Sequence, residues 1–261
     1  MGKPVIGFDN FFNTLPNTET DEDALGFEYQ NSYNGNTYDY WQPPTPAVQH
    51  YILAGSGSII PVDYFALARH NLASAGYQVK LQRDSAQAFT TPTDVSSYQV
   101  LADDSPFIWI EPGAAQQDRY FRLLFDPIGT PTEPLRVAGA TIGEVFRLPK
   151  AVRSGGQLPR GAVMDTITNS MSVNGEFIGR SVIKRGVEFS ISVSVESLAF
   201  MRGDWQTFID YALERPFWFL WNEDYPEDVV YVWLKGRPNT PTYDGNHTTL
   251  STTLTLQGIR T

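Results

Sequence analysis

The sequence contains no cysteine and only three histidines in 261 residues. Without thiols, neither a disulfide framework nor a thiolate metal site is available. His50, His70 and His247 stand far apart, and none lies at ligand spacing from another or from a carboxylate pair, so no metal centre is expected. Long apolar runs are also missing. No stretch approaches the ~20 apolar residues of a membrane span, and the opening MGKPVIGFDNFFN lacks the apolar centre of a signal peptide. The expectation is a protein made and assembled in a cytoplasm, without membrane insertion. Nor is there a basic cluster interleaved with aromatics, and the net charge is −10, so direct nucleic-acid binding is not expected. The acidity is read as solubility.

Catalytic signatures are equally scarce. There is no Gly-x-Ser-x-Gly, no phosphate-cradling loop and no dinucleotide fingerprint. Gly55–Ser58 (GSGS) lacks the lysine of a nucleotide loop and reads as a turn. Asp103 and Asp104, and the acids of EDYPED, sit in turn-like, solvated contexts rather than as a pair across a cleft. ADDSP is oxygen-rich but does not complete a calcium loop. The chain is therefore expected to be no enzyme and to need no cofactor.

What the sequence has in abundance is aromatic side chains, 13% of residues, together with 21 glycines and 18 prolines spread through its length. That composition belongs to many short strands joined by turns. Residues 1–42 are polar, Asn-rich and aperiodic, and read as an extended arm whose many aromatics dock on its own domain or on a neighbour.

From 43 to 150 strand-like runs (QHYILAG, YFALARH, YQVKLQ, FIWIEP, RYFRLLF, LRVAGATIGEVFRL) alternate with turn-forming spacers, which predicts one antiparallel jelly-roll β-sandwich. Residues 151–160 read as a linker. In 161–261, EFSISVSVES places Phe189, Ile191, Val193 and Val195 on one face and Ser190, Ser192, Ser194 and Glu196 on the other. LSTTLTLQG repeats the device with Leu250, Leu254 and Leu256 opposed to Ser251, Thr253 and Thr255. One helix is expected at GDWQTFIDYALERP, capped by Asp204 and stopped by Pro216. The aromatic strands PFWFLWN and VVYVWL follow, joined by an acidic turn. The second domain is thus an α+β sandwich carrying one helix.

His70 and Asn71 lie between two strand-like runs and are read as a structural corner rather than a base or a metal site. The rings of PFWFLWN and VVYVWL are read as core before sugar platform. Glu223, Asp224, Glu227 and Asp228 form an acidic turn beside hydroxyl-rich strands, and are expected at a subunit contact.

Two resemblances add to this reading. The stretch from Trp41 to Leu148 resembles the discoidin-like jelly-roll, through YFALARHNLASAGYQVKLQ, FIWIEP, DRYFRLLF and LRVAGATIGEVFRL. The matching positions are His70, Asn71, Gly76, Arg119, Tyr120, Arg122 and Glu144, with the Arg-Tyr-x-Arg strand paired to a strand that ends in an acid. The segment 161–261 resembles the tail-tube-like domain of distal tail and baseplate proteins of long-tailed bacteriophages, through EFSISVSVES, DWQTFIDYALE, PFWFLWN and HTTLSTTLTLQG. Those resemblances imply a virion structural protein assembled in the host cytoplasm, with copies of itself in a ring, other phage tail proteins and host-surface glycan as partners. The domain order differs from many distal tail proteins, where the ring domain comes first. A carbohydrate-binding module, or an accessory domain of a glycan-active protein, is the alternative.

Overall fold

The computed structural model describes residues 2–16, 19–20, 23–44, 46, 48–150, 166–184, 186–243 and 249–259. The linker expected at 151–160 lies outside them. In chain order the elements begin with β1 (Val5–Gly7), α1 (Phe11–Thr14), β2 (Glu19–Thr20), β3 (His50–Val62) and β4 (Tyr64–His70). Then come α2 (Leu72–Ala75), β5 (Tyr77–Asp84), β6 (Thr93–Asp94), β7 (Phe107–Ile110), β8 (Gln116–Pro127), β9 (Val137–Gly143) and β10 (Phe146–Arg147). The last stretch holds β11 (Thr166–Met171), β12 (Phe177–Lys184), β13 (Gly186–Ser197), α3 (Leu198–Arg202) and α4 (Asp204–Ala212). It closes with β14 (Phe217–Leu220), β15 (Val230–Leu234), β16 (Thr242–Tyr243) and β17 (Thr249–Ile259). The protein is mainly β, with antiparallel pairing in residues 7–146 and among β13, β14, β15 and β17, and α4 is the one substantial helix among the described residues.

The chain divides into two compact units, residues 7–146 and residues 1–6 with 147–261. Residues 7–146 form a sandwich of a five-stranded sheet, β2-β3-β8-β5-β6, and a three-stranded sheet, β7-β4-β9. Between them lies a core of Ile52, Val79, Leu81, Phe121, Leu123 and Phe125 from the larger sheet, and Phe65, Leu67, Ala140 and Ile142 from the smaller. β3, β4, β5 and β8 contribute alternate residues to this layer, as a two-sheet jelly-roll requires.

The arm expected at 1–42 is not an appendage in this structure. Phe11, Phe12 and Trp41 are part of the sandwich core. Asn10 caps α1 by accepting from the Phe12 N–H, and donates to the Ala140 carbonyl. Trp41 and Val137 exchange both backbone hydrogen bonds, at 2.9 and 3.0 Å. These aromatics enter the core from a one-turn helix and an isolated bridge, both too short to leave a periodic signature.

The turn expected at Gly55–Ser58 is a bulge instead. β3 runs on through it, and its pairing with β8 shifts between Gly55 and Ile60. The Tyr120 ring lies over Gly55, 2.1 Å from where a Cβ would stand, so only glycine fits there.

In the other unit, β10-β1-β14-β15-β17-β13 form one sheet, with β16 also paired to β17. Phe189, Ile191 and Val193 of β13 are buried, and so are Leu254 and Leu256 of β17, while Ser190 and Ser192 face away. α4 buries Trp205, Phe208, Ile209 and Ala212, the expected stripe. Asp204 is not its cap: it sits in the first turn, the cap is Gly203, and the short α3 precedes, capped by Ser197. Phe217, Trp218, Phe219 and Leu220 of β14 are all buried, as expected of a strand apolar on both faces. They offer no platform for a sugar.

The expected position of Glu196 on the hydroxyl face is also corrected. A bulge shifts the β13–β17 register between Val193 and Glu196, so Glu196 stands opposite Leu250 and is only 4% exposed. One extra residue moves the parity of the strand to the other face.

Candidate binding surfaces

The corner at the end of β4 is built from hydrogen bonds. His70 is buried, its Nε2 lies 3.0 Å from the Ser105 carbonyl, and its Nδ1 faces the Leu72 N–H at 3.4 Å. That geometry suits a neutral ring protonated on Nε2. Burial pushes its pKa down to about 4, against the pull of Asp104, the Ser105 carbonyl and Asp103. Asn71 donates to the Pro134 carbonyl and accepts from the Arg136 N–H. Asp104 caps the Ala73 and Ser74 amides, so this acid holds the corner together. α2 then ends at Gly76, whose left-handed φ of 82° lets the chain turn into β5.

Of the other positions singled out by resemblance, Arg122 lies on the outer face of β8. Its Nε donates to Gln82 Oε1 at 2.9 Å, and its guanidinium lies 4.3 Å from the Phe89 ring. The acid that ends a strand paired to β8 is Asp84 of β5, opposite Tyr120. Glu144 follows β9, which pairs with β4 in the smaller sheet, so the expected role of Glu144 passes to Asp84. Asp84 accepts from the Ala86 and Thr91 amides, which organise the loop that presents Phe89, and those bonds hold its carboxyl below the usual range.

Against this same corner lies a patch that the sequence does not bring together. Phe27 and Tyr40 stack at 4.9 Å and 19°, and the Arg136 guanidinium lies 5.6 Å from the Tyr40 ring. Arg136 Nε donates to Gln42, and Arg69 Nε to the Thr37 carbonyl. Tyr38 is 81% exposed beside them. Arg69 has φ 51°, a sparsely populated conformation for a side chain of its size. Stacked aromatic rings flanked by guanidinium and amide donors match what a sugar ring offers, an apolar face and a rim of hydroxyls. The only sequence signal is an aromatic-rich segment; its arginine partners lie far along the chain.

The acidic turn between β14 and β15 is partly engaged within its own unit. Glu223 accepts from Arg147 Nε at 3.2 Å and its N–H donates to the Lys3 carbonyl. Asp224 Oδ2 accepts from the Gly2 N–H at 2.9 Å. Glu227 and Asp228 lie in a short 3-10 turn, Glu227 exposed and Asp228 half-buried. The four carboxylates therefore do not converge on a single site. Glu223 and Asp224 anchor the first residues of the chain, and Glu227 faces solvent.

Two further features belong to this unit. β11 and β12 pair only with each other among the described residues, as a two-stranded ribbon. Its signal was there in Asn174-Gly175, a hairpin pair flanked by strand-like runs, with Gly175 at φ 82°. Met171, Val173, Phe177 and Ile178 of the ribbon are each more than half exposed. The second feature is the rim of the seven-stranded sheet, where β13 pairs with β17 among the described residues. The hydroxyl face bears cross-strand pairs, Ser190 with Thr255 at 3.3 Å and Ser192 with Thr253 at 3.2 Å. It is hollowed into a groove of about 490 Å³ lined by Ser192, Ser194, Thr240, Thr242, Ser251 and Thr253 among others.

Among the described residues no group of three or more His, Cys, Asp or Glu side chains is placed to hold a metal ion. No helix among them is long and apolar enough to cross a membrane.

No protein-family model matches the sequence, and no curated protein does. Solved structures do match over about half of the chain. One is chitosan-binding module 1 of a chitosanase/glucanase from Paenibacillus sp. IK-5, at 19% identity and TM-score 0.41, covering 52% of this chain and 99% of that one. Another is the CBM32 of AlyQ in complex with 4,5-unsaturated mannuronic acid, at 16% identity and TM-score 0.39, covering 52% and 96%. A third is CpGH89CBM32-6 of Clostridium perfringens, at 12% identity and TM-score 0.41, covering 52% and 99%.

Proposed function

We propose that this chain is a non-catalytic structural protein of a long-tailed bacteriophage tail tip or baseplate. In this reading it joins the tail tube to the host-recognition apparatus, and copies of it associate in a ring through the unit that contains residues 161–261. The observation that carries the assembly is the ribbon β11–β12, whose side chains Met171, Val173, Phe177 and Ile178 are exposed on a pair of strands with no third among the described residues. An isolated two-stranded ribbon is marginal in water, and a contiguous exposed apolar surface marks an interaction site. The phage setting comes from the tail-tube-like resemblance of 161–261, with the virion tail tip as location. Sedimentation velocity of the purified chain across a hundredfold concentration range tests it. A discrete closed oligomer is the expected result, and a monomer throughout would sink the assembly reading.

The sandwich favours a second reading, that of a carbohydrate-binding module or an accessory domain of a glycan-active protein. The patch of Tyr38, Tyr40, Phe27, Arg69 and Arg136 is the observation behind it. A glycan array separates the two when run beside the sedimentation measurement. Chitosan oligosaccharides and uronates are the probes to include first. Glycan binding by a monomer supports the second reading, and glycan binding by a ring joins both.

A further inference from the structure

Resting on the carbohydrate-binding reading of the sandwich, we infer that Arg69 makes the aromatic–arginine patch selective for acidic saccharides. Its guanidinium receives the carboxylate of a uronate whose ring lies on Tyr38.

The two arginines of the patch differ in what already occupies them. Arg136 donates through Nε to Gln42 at 3.3 Å, lies against the Tyr40 ring, and has Nη1 3.7 Å from the Glu133 carboxylate. Arg69 is exposed, and among the described residues no carboxylate lies within ion-pair distance of it. Its Nε donates to the Thr37 carbonyl at 3.3 Å. That bond leaves the two terminal nitrogens, the pair that forks onto a carboxylate. It also places them, because the Thr37 carbonyl belongs to the peptide that leads into Tyr38, the most exposed ring of the patch. An uncompensated cation and an open aromatic face are thus held together through one peptide unit.

The backbone of Arg69 is an independent sign. Its φ of 51° is a conformation that glycine and asparagine adopt readily and a long side chain does not. The corner that follows over-determines it. His70 is buried against the Ser105 carbonyl. Asn71 exchanges two bonds with the backbone of Arg136: Oδ1 accepts from its N–H at 2.7 Å, and the Asn71 N–H donates to its carbonyl at 3.3 Å. Asn71 therefore fixes both the end of β4 and the place of Arg136. Strain held by surrounding bonds collects in ligand clamps, and here it falls on the residue whose charge is uncompensated.

Charge decides the class of sugar. A neutral saccharide offers Arg69 only hydroxyl oxygens. A uronate offers an ionised acceptor, whose charge-assisted bonds are roughly twice as strong. The chain as a whole opposes anions, with a net charge of −10, so the attraction is one of local contact rather than long-range steering. Selectivity then rests on one side chain, and one substitution removes it.

Titration calorimetry of the full chain tests this with oligosaccharides of galacturonate, glucuronate and mannuronate, each beside its carboxyl-reduced counterpart. At least one uronate is expected to bind at least ~10-fold more tightly than its reduced form. Arg69→Asn, whose new side chain suits φ 51°, should melt within about 2 °C of the parent and bring that uronate down to the level of its reduced form. Reduced forms that bind as tightly as the uronates, or a variant that keeps the preference, overturn this inference and leave the carbohydrate-binding reading standing. A variant that loses the preference but melts well below the parent assigns Arg69 to the fold, and overturns it too. If the parent binds no saccharide, acidic or neutral, this inference and the carbohydrate-binding reading fall together.

Discussion

Glu196 of β13 stands directly opposite Leu250 of β17, on the face that carries its unit's apolar core. The extra residue between Val193 and Glu196 places it there, with the Lys150 ammonium 4.0 Å from Oε2. Burial raises its pKa above the usual carboxylate value, while Lys150 and Lys3 pull the other way. A carboxylate with a raised folded pKa binds its proton more tightly in the native state, so stability is gained as pH falls through that pKa. Glu196→Gln is expected to raise the melting temperature of its unit at pH 8. The difference from the parent should vanish by pH 4. Melting curves at both values check this, and an unchanged difference would mean that the charge is already compensated.

His70 predicts the opposite slope. Its folded pKa of about 4 lies below the ordinary 6.5, so the stability it contributes is complete above pH 6.5 and lost as pH falls towards 4. Asp9 in the same unit has its pKa raised to about 6 by burial and by Glu144, so it gains stability over an overlapping range as pH falls. Asp9→Asn should therefore steepen the acid-side loss, and His70→Asn should remove or invert it. Amide exchange of β4 and β9 across pH 4–7 reads both. His70→Asn should also cost about 1–3 kcal/mol at pH 7, because it leaves the Ser105 carbonyl or the Leu72 amide without its partner.

Gly143 approaches the Asp9 carbonyl so closely that an added Cβ would lie 2.2 Å from that oxygen. The obstacle is backbone, which cannot rotate aside. Gly143→Ala is expected to destabilise the sandwich by about 1–3 kcal/mol. Gly57→Ala, at a position with nothing within 4 Å, should change stability little. Equal denaturant midpoints for the two variants would show that the strand moves freely.

Tyr38→Ala and Arg136→Ala test the sandwich patch. Tyr38 is exposed, so its loss should leave the melting temperature within about 1–2 °C of the parent. Binding to any glycan identified on an array should weaken at least ~10-fold. If Tyr38→Ala binds as tightly as the parent, the patch is not the site.

Sequence reasoning reached the elements whose pattern is local. The alternation of Phe189, Ile191 and Val193 with serines, the stripe of Trp205, Phe208, Ile209 and Ala212, and the turn at Gly76 can all be read within one window. It failed where a single residue changes the count, as at the β13 bulge that turns Glu196 inward and the β3 bulge at Gly55–Ile60. It failed again where partners are distant. Phe11, Phe12 and Trp41 join the core through Asn10, Ala140 and Val137, and nothing near them in sequence announces it. Of the candidate surfaces, the turn chemistry of His70 and Asn71 drew attention to one stretch, whose hydrogen bonds to Ser105, Pro134 and Arg136 appear only in the fold. The aromatic–arginine patch was not legible, because Arg136 reaches Tyr40 only after the fold is made.

β1 completes a sheet whose other strands begin at residue 146 or later, and the Gly2 amide meets Asp224 across 222 positions of sequence. The sandwich, by contrast, is contiguous, from residue 7 to 146. During synthesis the sandwich has all its parts while the opening strand still waits for β14. Closing that loop late is entropically slow. A sandwich that folds first shortens it, since a folded domain holds its two ends near each other far more tightly than a free chain of the same length would. The inserted domain then serves as the folding template of the domain it interrupts, and mutations that weaken the sandwich should slow maturation of the other unit without touching any of its residues.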